Sequence, residues 1–237
     1  MYQTHKTYIR PEMKMADLIN ENYTLLLFLE HMEIDFTVSD KTVSDLCEEN
    51  DISLSMFIII SNLYNGFYPD KIEITSVKDI PTIIKFLKNS HRFYTNDKYP
   101  EIKRHLAALH EKHNTDDIAL IEKFFNVYFE EVLEHLNYEE ETAFPYFCQL
   151  ISEEPLHLNT DFSVNNYKEQ HSDIETKLAD LKNLLLKHIV IENDLTLRRQ
   201  FLYSLFELEF DLEIHSTVEE IILLPLINQV EMNRLNG

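Results

Sequence analysis

The chain has almost no glycine, no tryptophan and few cationic residues. Of its 237 residues, 2 are Gly and none is Trp, and 21 Lys and Arg stand against 42 Asp and Glu, so the formal net charge at pH 7 is −21. So little glycine excludes collagen-like and glycine-rich low-complexity chains, and it excludes glycine-rich phosphate-binding loops. The acidic surplus repels a phosphate backbone or an anionic membrane surface unless the few cations cluster, and no such cluster is visible. We therefore expect no nucleic acid and no membrane among the partners.

Cysteine and long apolar runs are also scarce. Cys47 and Cys148 are the two cysteines, and they lie far apart in the chain. They offer neither a disulfide framework nor a cysteine-rich zinc or iron–sulfur site. The N-terminal stretch lacks the apolar run of a signal peptide, and no stretch reaches the roughly 20 apolar residues that span a bilayer. These absences predict a cytoplasmic protein in which metal chemistry would use histidine and carboxylate ligands.

Apolar residues recur at helical spacing along almost the whole chain, which predicts an all-α fold. Short helices are expected within residues 15–33 and 42–64, with a polar break between them. Gly66 and Pro69 indicate a boundary near residue 72. We therefore predict a small N-terminal helical domain, followed by a larger domain; they span residues 1–72 and 73–237.

The larger domain is predicted to contain four long helices. Ser76 is expected to cap the first, and Tyr99-Pro100 should kink or interrupt it because proline lacks an amide donor. The segment Asn114–Asp117 is expected to cap the second. Short polar connectors between long helices are typical of an antiparallel four-helix bundle. The four predicted helices run over residues 76–113, 114–150, 164–189 and 195 to the low 230s.

An internal repeat at an offset of 80 residues is the most informative feature of the sequence. The segment HLNYEEETAFP at 135–145 aligns with HSTVEEIILLP at 215–225, and the same offset places His91 on His171. This pattern indicates a duplicated helical hairpin, with one histidine on its first helix and an H-x-x-x-E motif on its second.

The spacing within the repeat has a direct physical meaning. Residues four apart lie one turn apart on the same helical face, so His135 with Glu139, and His215 with Glu219, each present an imidazole and a carboxylate together. Two hairpins that face each other would bring four imidazoles and two carboxylates into the bundle. The predicted metal ligands are His91, His135, Glu139, His171, His215 and Glu219.

This donor set suits Fe, Mn or Zn, and two bridging carboxylates would hold two metal ions while offsetting their charge. Positions would stay open for an oxo, hydroxo or water bridge and for a small exogenous ligand. Glu131 and Asp211, one turn before His135 and His215, are candidate acceptors for imidazole N–H groups. The alternative is that these histidines are ordinary helix residues, because the chain also contains unrepeated H-x-x-x-E pairs, one of which begins at His188.

At these residues the sequence resembles the hemerythrin-like di-metal bundles, and more closely the repair-of-iron-centres family of ScdA/YtfE-type di-iron proteins. The paired signature of that family, H-x-x-x-E-E followed by F-P, is matched within 135–145 and, with Leu224 in place of Phe, within 215–225. The resemblance implies two non-haem iron ions, oxo- or hydroxo-bridged, in a bundle over residues 76–233. The four histidines would be terminal ligands, and the two glutamates would be bridges.

The N-terminal region adds a second similarity. Asp17–Tyr23 and Ile34–Phe36 match the pattern of the small domain with which members of that family begin. Where the family carries a cysteine pair, this chain has Thr37 and Val38. Thiol-assisted chemistry at that place is therefore not expected, and Cys47 is interpreted as a small buried apolar residue.

Several other residues receive structural interpretations first. Tyr94 and Tyr138 could donate hydrogen bonds or relay electrons at the centre, although core packing is the simpler interpretation. The histidines His105, His110 and His113 are interpreted as part of a solvated helix face.

The resemblance implies a cytoplasmic di-iron protein of nitrosative or oxidative stress defence. It would bind or reduce NO or O2 species and support the repair of damaged iron–sulfur proteins, with electrons from an external donor. The alternative is an oxygen or nitric oxide sensor, or an iron store, without turnover. A purely structural bundle and a homodimer also stay open at this point.

Overall fold

A computed structural model describes residues 6–68, 76–113, 115–152, 164–189 and 194–235, apart from the side chains of residues 164–166, 168–173, 175 and 235. Within these ranges the regular structure is helical, and the β-type pairing is limited to an isolated bridge between Lys14 and Thr42. The all-α prediction is therefore confirmed for the described residues. None of the helices formed by these residues has both the length and the apolar character that crossing a bilayer requires.

The described residues form α-helices joined by one 3₁₀ turn, Val77–Asp79, and by three π-helical turns, Tyr94–Lys98, Glu139–Ala143 and Glu219–Leu223. The α-helices are α1 (Met15–Glu21), α2 (Leu25–His31), α3 (Val43–Glu49), α4 (Leu54–Tyr64), α5 (Ile80–Phe93), α6 (Tyr99–His113), α7 (Asp116–Tyr138), α8 (Phe144–Ile151), α9 (Val164–Lys187), α10 (Leu195–Val218) and α11 (Leu224–Leu235).

Two predicted helix starts are present. The Ser76 hydroxyl accepts the Lys78 N–H, and the Ser76 N–H donates to Asp79, which completes a capping box. The Thr115 hydroxyl accepts the N–H of Ile118 at the start of α7. The predicted domain boundary near residue 72 lies outside the described residues.

The chain divides into two compact units. The first takes the described residues of Met1–Asn89, Leu150–Glu153 and Thr217–Gly237, and the second takes those of Ser90–Gln149 and Glu154–Ser216. In the first unit, a buried aromatic cluster forms around Phe28, whose ring centroid lies 4.7 Å from that of Phe57. Tilted contacts with two further buried rings, Tyr64 and Phe86, extend this core.

The scarcity of glycine is visible in the short helices of the first unit. Helices α2 and α3 are followed by Glu33 at φ 56° and Asp51 at φ 54°, in the left-handed region where glycine is usual. In both cases a backbone bond closes the helix end, from Ile34 N–H to the Leu29 carbonyl and from Ile52 N–H to the Cys47 carbonyl. The C-terminal ends of α2 and α3 therefore form although Glu and Asp, and not glycine, occupy the left-handed positions.

Cys47 itself is 3% exposed, and burial raises the pKa of its thiol to about 12. The thiolate, the form that reacts with metals and disulfides, is therefore disfavoured. The environment of Cys47 agrees with its interpretation as a buried apolar residue.

The second unit is built from longer helices. Helix α7 packs against α6 and against α9. The rings of Tyr99 and Phe129 stack in parallel at the α6–α7 contact, with centroids 3.7 Å apart. Lys98 is buried, and its Nζ pairs with Glu101 at 2.6 Å and with Glu207 of α10. Apolar packing and this ion-pair group hold the helices that carry the candidate site.

Candidate metal centre

Within the described ranges, three helical segments carry the same backbone irregularity. Each π-helical turn comes directly before an X-Pro pair, at Pro100, Pro145 and Pro225. In each, the N–H of the residue before proline donates to the carbonyl of the first residue of the turn, five positions earlier. Because proline has no amide hydrogen, one α-helical bond is missing, and the wider turn lets the helix continue past it. The interruption expected at Tyr99-Pro100 is therefore a π-helical turn of the same kind as the other two. The sequence repeat aligns only Pro145 with Pro225.

Counting back from each proline places the donor side chains. Ten residues earlier lie Ser90, His135 and His215, and six residues earlier lie Tyr94, Glu139 and Glu219. The first segment, as we call residues 90–100, therefore has the same backbone conformation as the other two segments but not the same ligand residues. Its own histidine, His91, lies one residue further along α5.

Three of the predicted ligands form a buried cluster in the second unit. His91, Glu139 and His215 each offer one ligand atom, and these atoms all lie within 4.8 Å of one another. The Glu139 side chain is fully buried. Its Oε2 atom lies 3.1 Å from His91 Nε2 and 3.8 Å from His215 Nε2. The cluster is a group that could hold a metal ion.

The other carboxylate oxygen of Glu139 faces a different set of groups. Its Oε1 atom lies 2.9 Å from His135 Nε2, which is one helical turn earlier on α7. The hydroxyl of Tyr167 on α9 donates to the same Oε1 atom at 3.0 Å. One carboxylate therefore contacts donors from four helical segments, with its two oxygens on two sides.

The outer nitrogens of two cluster histidines have partners of their own. His91 Nδ1 lies 2.9 Å from Glu140 Oε1, and His215 Nδ1 lies 2.7 Å from Ser90 Oγ. With Nδ1 held in this way, both rings present Nε2 toward Glu139. Metal-binding histidines typically have this arrangement, in which the second nitrogen is oriented by a carboxylate or another acceptor. The donor set and its orientation therefore fit Fe, Mn or Zn.

Aromatic rings close the cluster on further sides. Phe144 stacks on the His91 ring with a centroid distance of 5.7 Å, and the ring of Tyr94 meets His215 edge to face at 5.8 Å. Both aromatic residues are fully buried. Tyr94 thus packs in the core beside the site, which agrees with its simpler interpretation.

A small cavity of about 20 Å³ lies next to the cluster. That volume is enough for about one water-sized molecule. Its wall is formed by Val132, His135, Leu136, Ile174, Leu212, His215 and Ser216, and the atoms that they present to it are apolar. The cavity favours a small ligand of low polarity.

Two predicted ligands stand apart from this description. Helix α9 carries His171, but the side chain of His171 lies outside what the structure describes. Glu219 is fully buried and begins the third π-helical turn, within the first compact unit. For both residues, the ligand role stays a prediction.

The prediction for Glu131 is wrong. Instead of accepting an imidazole N–H, its carboxylate pairs with Lys177 Nζ at 2.5 Å and is 41% exposed. Glu131 points to solvent because the ammonium group of α9 is available on that side of α7. Its counterpart in the repeat, Asp211, is buried.

The histidines of α6 pair with carboxylates rather than with the cluster. His110 Nδ1 lies 3.0 Å from Glu122 Oε2, and His105 Nε2 lies 3.7 Å from Glu101. Tyr138 is half-buried, and desolvation raises the pKa of its hydroxyl.

Sequence patterns left three contacts of the site unassigned. Glu140 had a signal, since it recurs as Glu220 in the repeat. Tyr167 had a weaker one, because it precedes His171 by one helical turn. Ser90 had none, and its register was revealed by the π-helical turn Tyr94–Lys98.

Neither a protein-family model nor a curated protein sequence matches this chain.

Proposed function

We propose that this chain is a hemerythrin-like di-metal protein, similar to the repair-of-iron-centres family, with its long helices in an antiparallel four-helix bundle. The observation that carries the proposal is the buried group of His91, Glu139 and His215. A carboxylate without solvent among imidazoles is costly unless charge or hydrogen bonds compensate it. A metal ion supplies that compensation.

The two sides of Glu139 support a centre with two ions. Its Oε2 atom, His91 and His215 would hold one ion, and its Oε1 atom with His135 would begin the second position. The predicted ligands His171 and Glu219 would complete the set. Glu139 would then serve both positions, as the predicted donor set and the family resemblance imply.

Iron is the metal we propose, with an oxo or hydroxo bridge, and Mn or Zn as the alternatives. A bound iron pair would supply one-electron redox chemistry and open coordination positions for NO or O2. The chain itself would contribute burial, which excludes bulk water, and the small apolar cavity beside His135 and His215, which admits a diatomic molecule. Electrons would come from an external donor.

The biological role that we propose is cytoplasmic defence against nitrosative or oxidative stress, with support for the repair of damaged iron–sulfur clusters. A second candidate is a sensor of oxygen or nitric oxide, or an iron store, without turnover. Thr37 and Val38 favour this second candidate, because Thr37 is exposed, Val38 is buried and neither offers a thiol. Iron transfer through a cysteine pair is then closed to this chain.

Metal content is the test of the proposed centre. Anaerobically purified wild-type protein should contain about two irons per chain, and air exposure should produce near-ultraviolet oxo-bridge absorption. The double variant His135→Ala/His215→Ala should lose both ions, because each change removes an Nε2 beside Glu139. His188→Ala is the matched control, since His188 begins an unrepeated H-x-x-x-E pair and is exposed. Retention of two irons by the double variant would refute the ligand assignment.

Turnover separates the two candidate roles. Catalytic consumption of NO by the loaded protein with a reductant supports stress defence, whereas reversible binding without consumption supports the sensor or store. Zinc alone, or no metal, in protein from iron-replete cells would remove the redox function.

A further inference from the structure

We infer that Tyr167 is a positioning residue for the proposed metal centre: its hydroxyl holds Glu139 so that Oε2 faces His91 and His215. The inference rests on the proposed function. Tyr167 is fully buried on α9, and its hydroxyl donates to Glu139 Oε1 at 3.0 Å. In the sequence, its one connection to the site is that it precedes the predicted ligand His171 by one helical turn.

The position of the donor determines which oxygen it holds. A carboxylate at the end of a glutamate side chain rotates readily, because its terminal torsion is broad and twofold. Tyr167 and His135 both lie at Oε1, which leaves Oε2 turned toward His91 and His215. A hydrogen bond to an ionised carboxylate is stronger than one between neutral groups. The phenol therefore opposes rotation of the carboxylate.

The ring of Tyr167 is itself held in place. Phe147 meets it edge to face at 6.2 Å, and the His135 ring lies 6.5 Å away. Both neighbours belong to the helical stretch that carries Glu139. Hydroxyl, carboxylate and imidazole are thus packed as one group, and removal of the hydroxyl alone should leave the ring where it is.

Loss of this contact should act on one metal position more than on the other. The His91–Glu139–His215 position depends on the orientation of Oε2, so we expect Tyr167→Phe to weaken binding of the first metal equivalent about tenfold, as outer partners of metal ligands commonly do. Oε1 loses a competing donor, so the two binding steps should move closer together. A purely structural role would change stability without this redistribution.

The experiment titrates metal-free, full-length protein with Co²⁺ and follows both affinity and ligand-field absorption. Tyr128→Phe is the matched control: Tyr128 is a buried tyrosine of the same unit, eleven residues before Glu139 and so about 16 Å away along the helix. A third protein carries 4-aminophenylalanine at position 167, which keeps the ring and a donor. Tyr167→Phe should weaken and spectrally alter the first equivalent, and the other two proteins should behave like the wild type.

Each other outcome has a definite reading. Equal affinity and equal spectra for wild type and Tyr167→Phe would overturn the inference and leave the metal centre standing. A failure of the wild type to bind Co²⁺ would overturn the proposed centre, and the inference with it. If Tyr167→Phe does not fold, the 4-aminophenylalanine protein decides, because wild-type binding supports a donor role. A visible charge-transfer band of the ferric protein that depends on Tyr167 would show a phenolate ligand and overturn the donor role.

Discussion

Residues 90–100 and 135–145 share one backbone design and differ in chemistry. Both place a π-helical turn directly before an X-Pro pair, closed by the same type of five-residue hydrogen bond. The first presents Ser90 and Tyr94 where the second presents His135 and Glu139. The comparison shows that proline and helix continuity produce the turn, whereas side-chain identity alone produces a candidate ligand.

The last residue of each turn extends the contrast. Lys98 and Ala143 occupy the same register, two residues before proline, and both are buried. Ala143 is a fully buried apolar residue, whereas Lys98 pairs with carboxylates of α6 and α10. One segment thus uses its polar groups to join helices, and the other uses them to assemble the site.

Glu139→Gln should have the largest effect on metal binding, because it changes the carboxylate that contacts three of the predicted histidine ligands. The amide keeps the shape of the side chain but removes the charge that faces His91, His135 and His215. We expect iron per chain to fall to near zero, measured by elemental analysis after anaerobic purification. Glu141→Gln, an exposed change in the same turn, is the control. Normal iron content in Glu139→Gln would remove Glu139 from the ligand set.

Lys98→Met should have the second-largest effect. It places an apolar side chain two residues before the proline of residues 90–100, where residues 135–145 have Ala143. Burial by itself would lower the pKa of Lys98, but hydrogen bonds and charge from Glu101 and Glu207 outweigh it and raise the pKa. Since both carboxylates are partly exposed and can be rehydrated, we expect a loss of about 1–2 kcal/mol at pH 7. Urea unfolding of metal-free protein measures this loss, and the exposed Lys123→Met is the control.

The pH dependence of that difference gives a second check on Lys98. A raised pKa contributes stability that is present below the unfolded value, about 10.4, and is lost as pH rises through the folded pKa. For Glu101, burial raises the pKa, while Lys98, Ser204 and His105 together lower it by more, so the net shift is downward. Its contribution is present above about pH 4.3 and is lost as pH falls through the folded pKa. The gap between wild type and Lys98→Met should therefore narrow at both extremes, and a constant gap would contradict the ion-pair explanation.

Ser90→Ala should weaken the site less, because it removes a partner of a ligand and not a ligand. Without the contact between Ser90 Oγ and His215 Nδ1, at 2.7 Å, the imidazole is less well oriented. We expect about a tenfold loss of metal affinity, measured by competition with a chelator. Ser90→Thr should keep the hydroxyl and most of the affinity, so equal losses in both variants would point to packing instead.

Tyr94→Phe should have the smallest effect on metal binding and stability. It tests directly whether residues 90–100 supply a ligand at the register where residues 135–145 have Glu139. Tyr94 occupies the register of Glu139, and its ring packs edge to face against His215. We expect full iron content and a stability change of about 1 kcal/mol or less, from calorimetric melting of the metal-free protein. Loss of iron in this variant would mean that the first segment also supplies a ligand.

Local features of the fold could be predicted because neighbouring residues determine them. The hydroxyls of Ser76 and Thr115 cap their helices through amides within three residues, and proline acts on the turn just before it. The H-x-x-x-E motif places His135 and Glu139 on one helical face for the same reason.

Contacts between distant residues were beyond such reasoning. Ser90 and His215 are 125 residues apart, His91 and Glu140 are 49 apart, and Tyr167 and Glu139 are 28 apart. Glu131 is a prediction that failed for the same reason. Its helical register was favourable for a contact with His135, but its carboxylate pairs with Lys177 of the neighbouring helix α9 instead.

The sequence by itself determined that the described residues are helical, that the helix is interrupted at Tyr99-Pro100, and which imidazole and carboxylate groups are available, because backbone hydrogen bonds and proline act over one or two turns. The internal repeat predicted that His91, Glu139 and His215 come together, and the structure places these three in one group. Only the tertiary structure decided that Oε1 and Oε2 of Glu139 face different partners and that Tyr167 donates to Oε1. Those outcomes depend on how helices are rotated against one another. That rotation is set by the packing of side chains from remote parts of the chain, such as Phe147 against Tyr167.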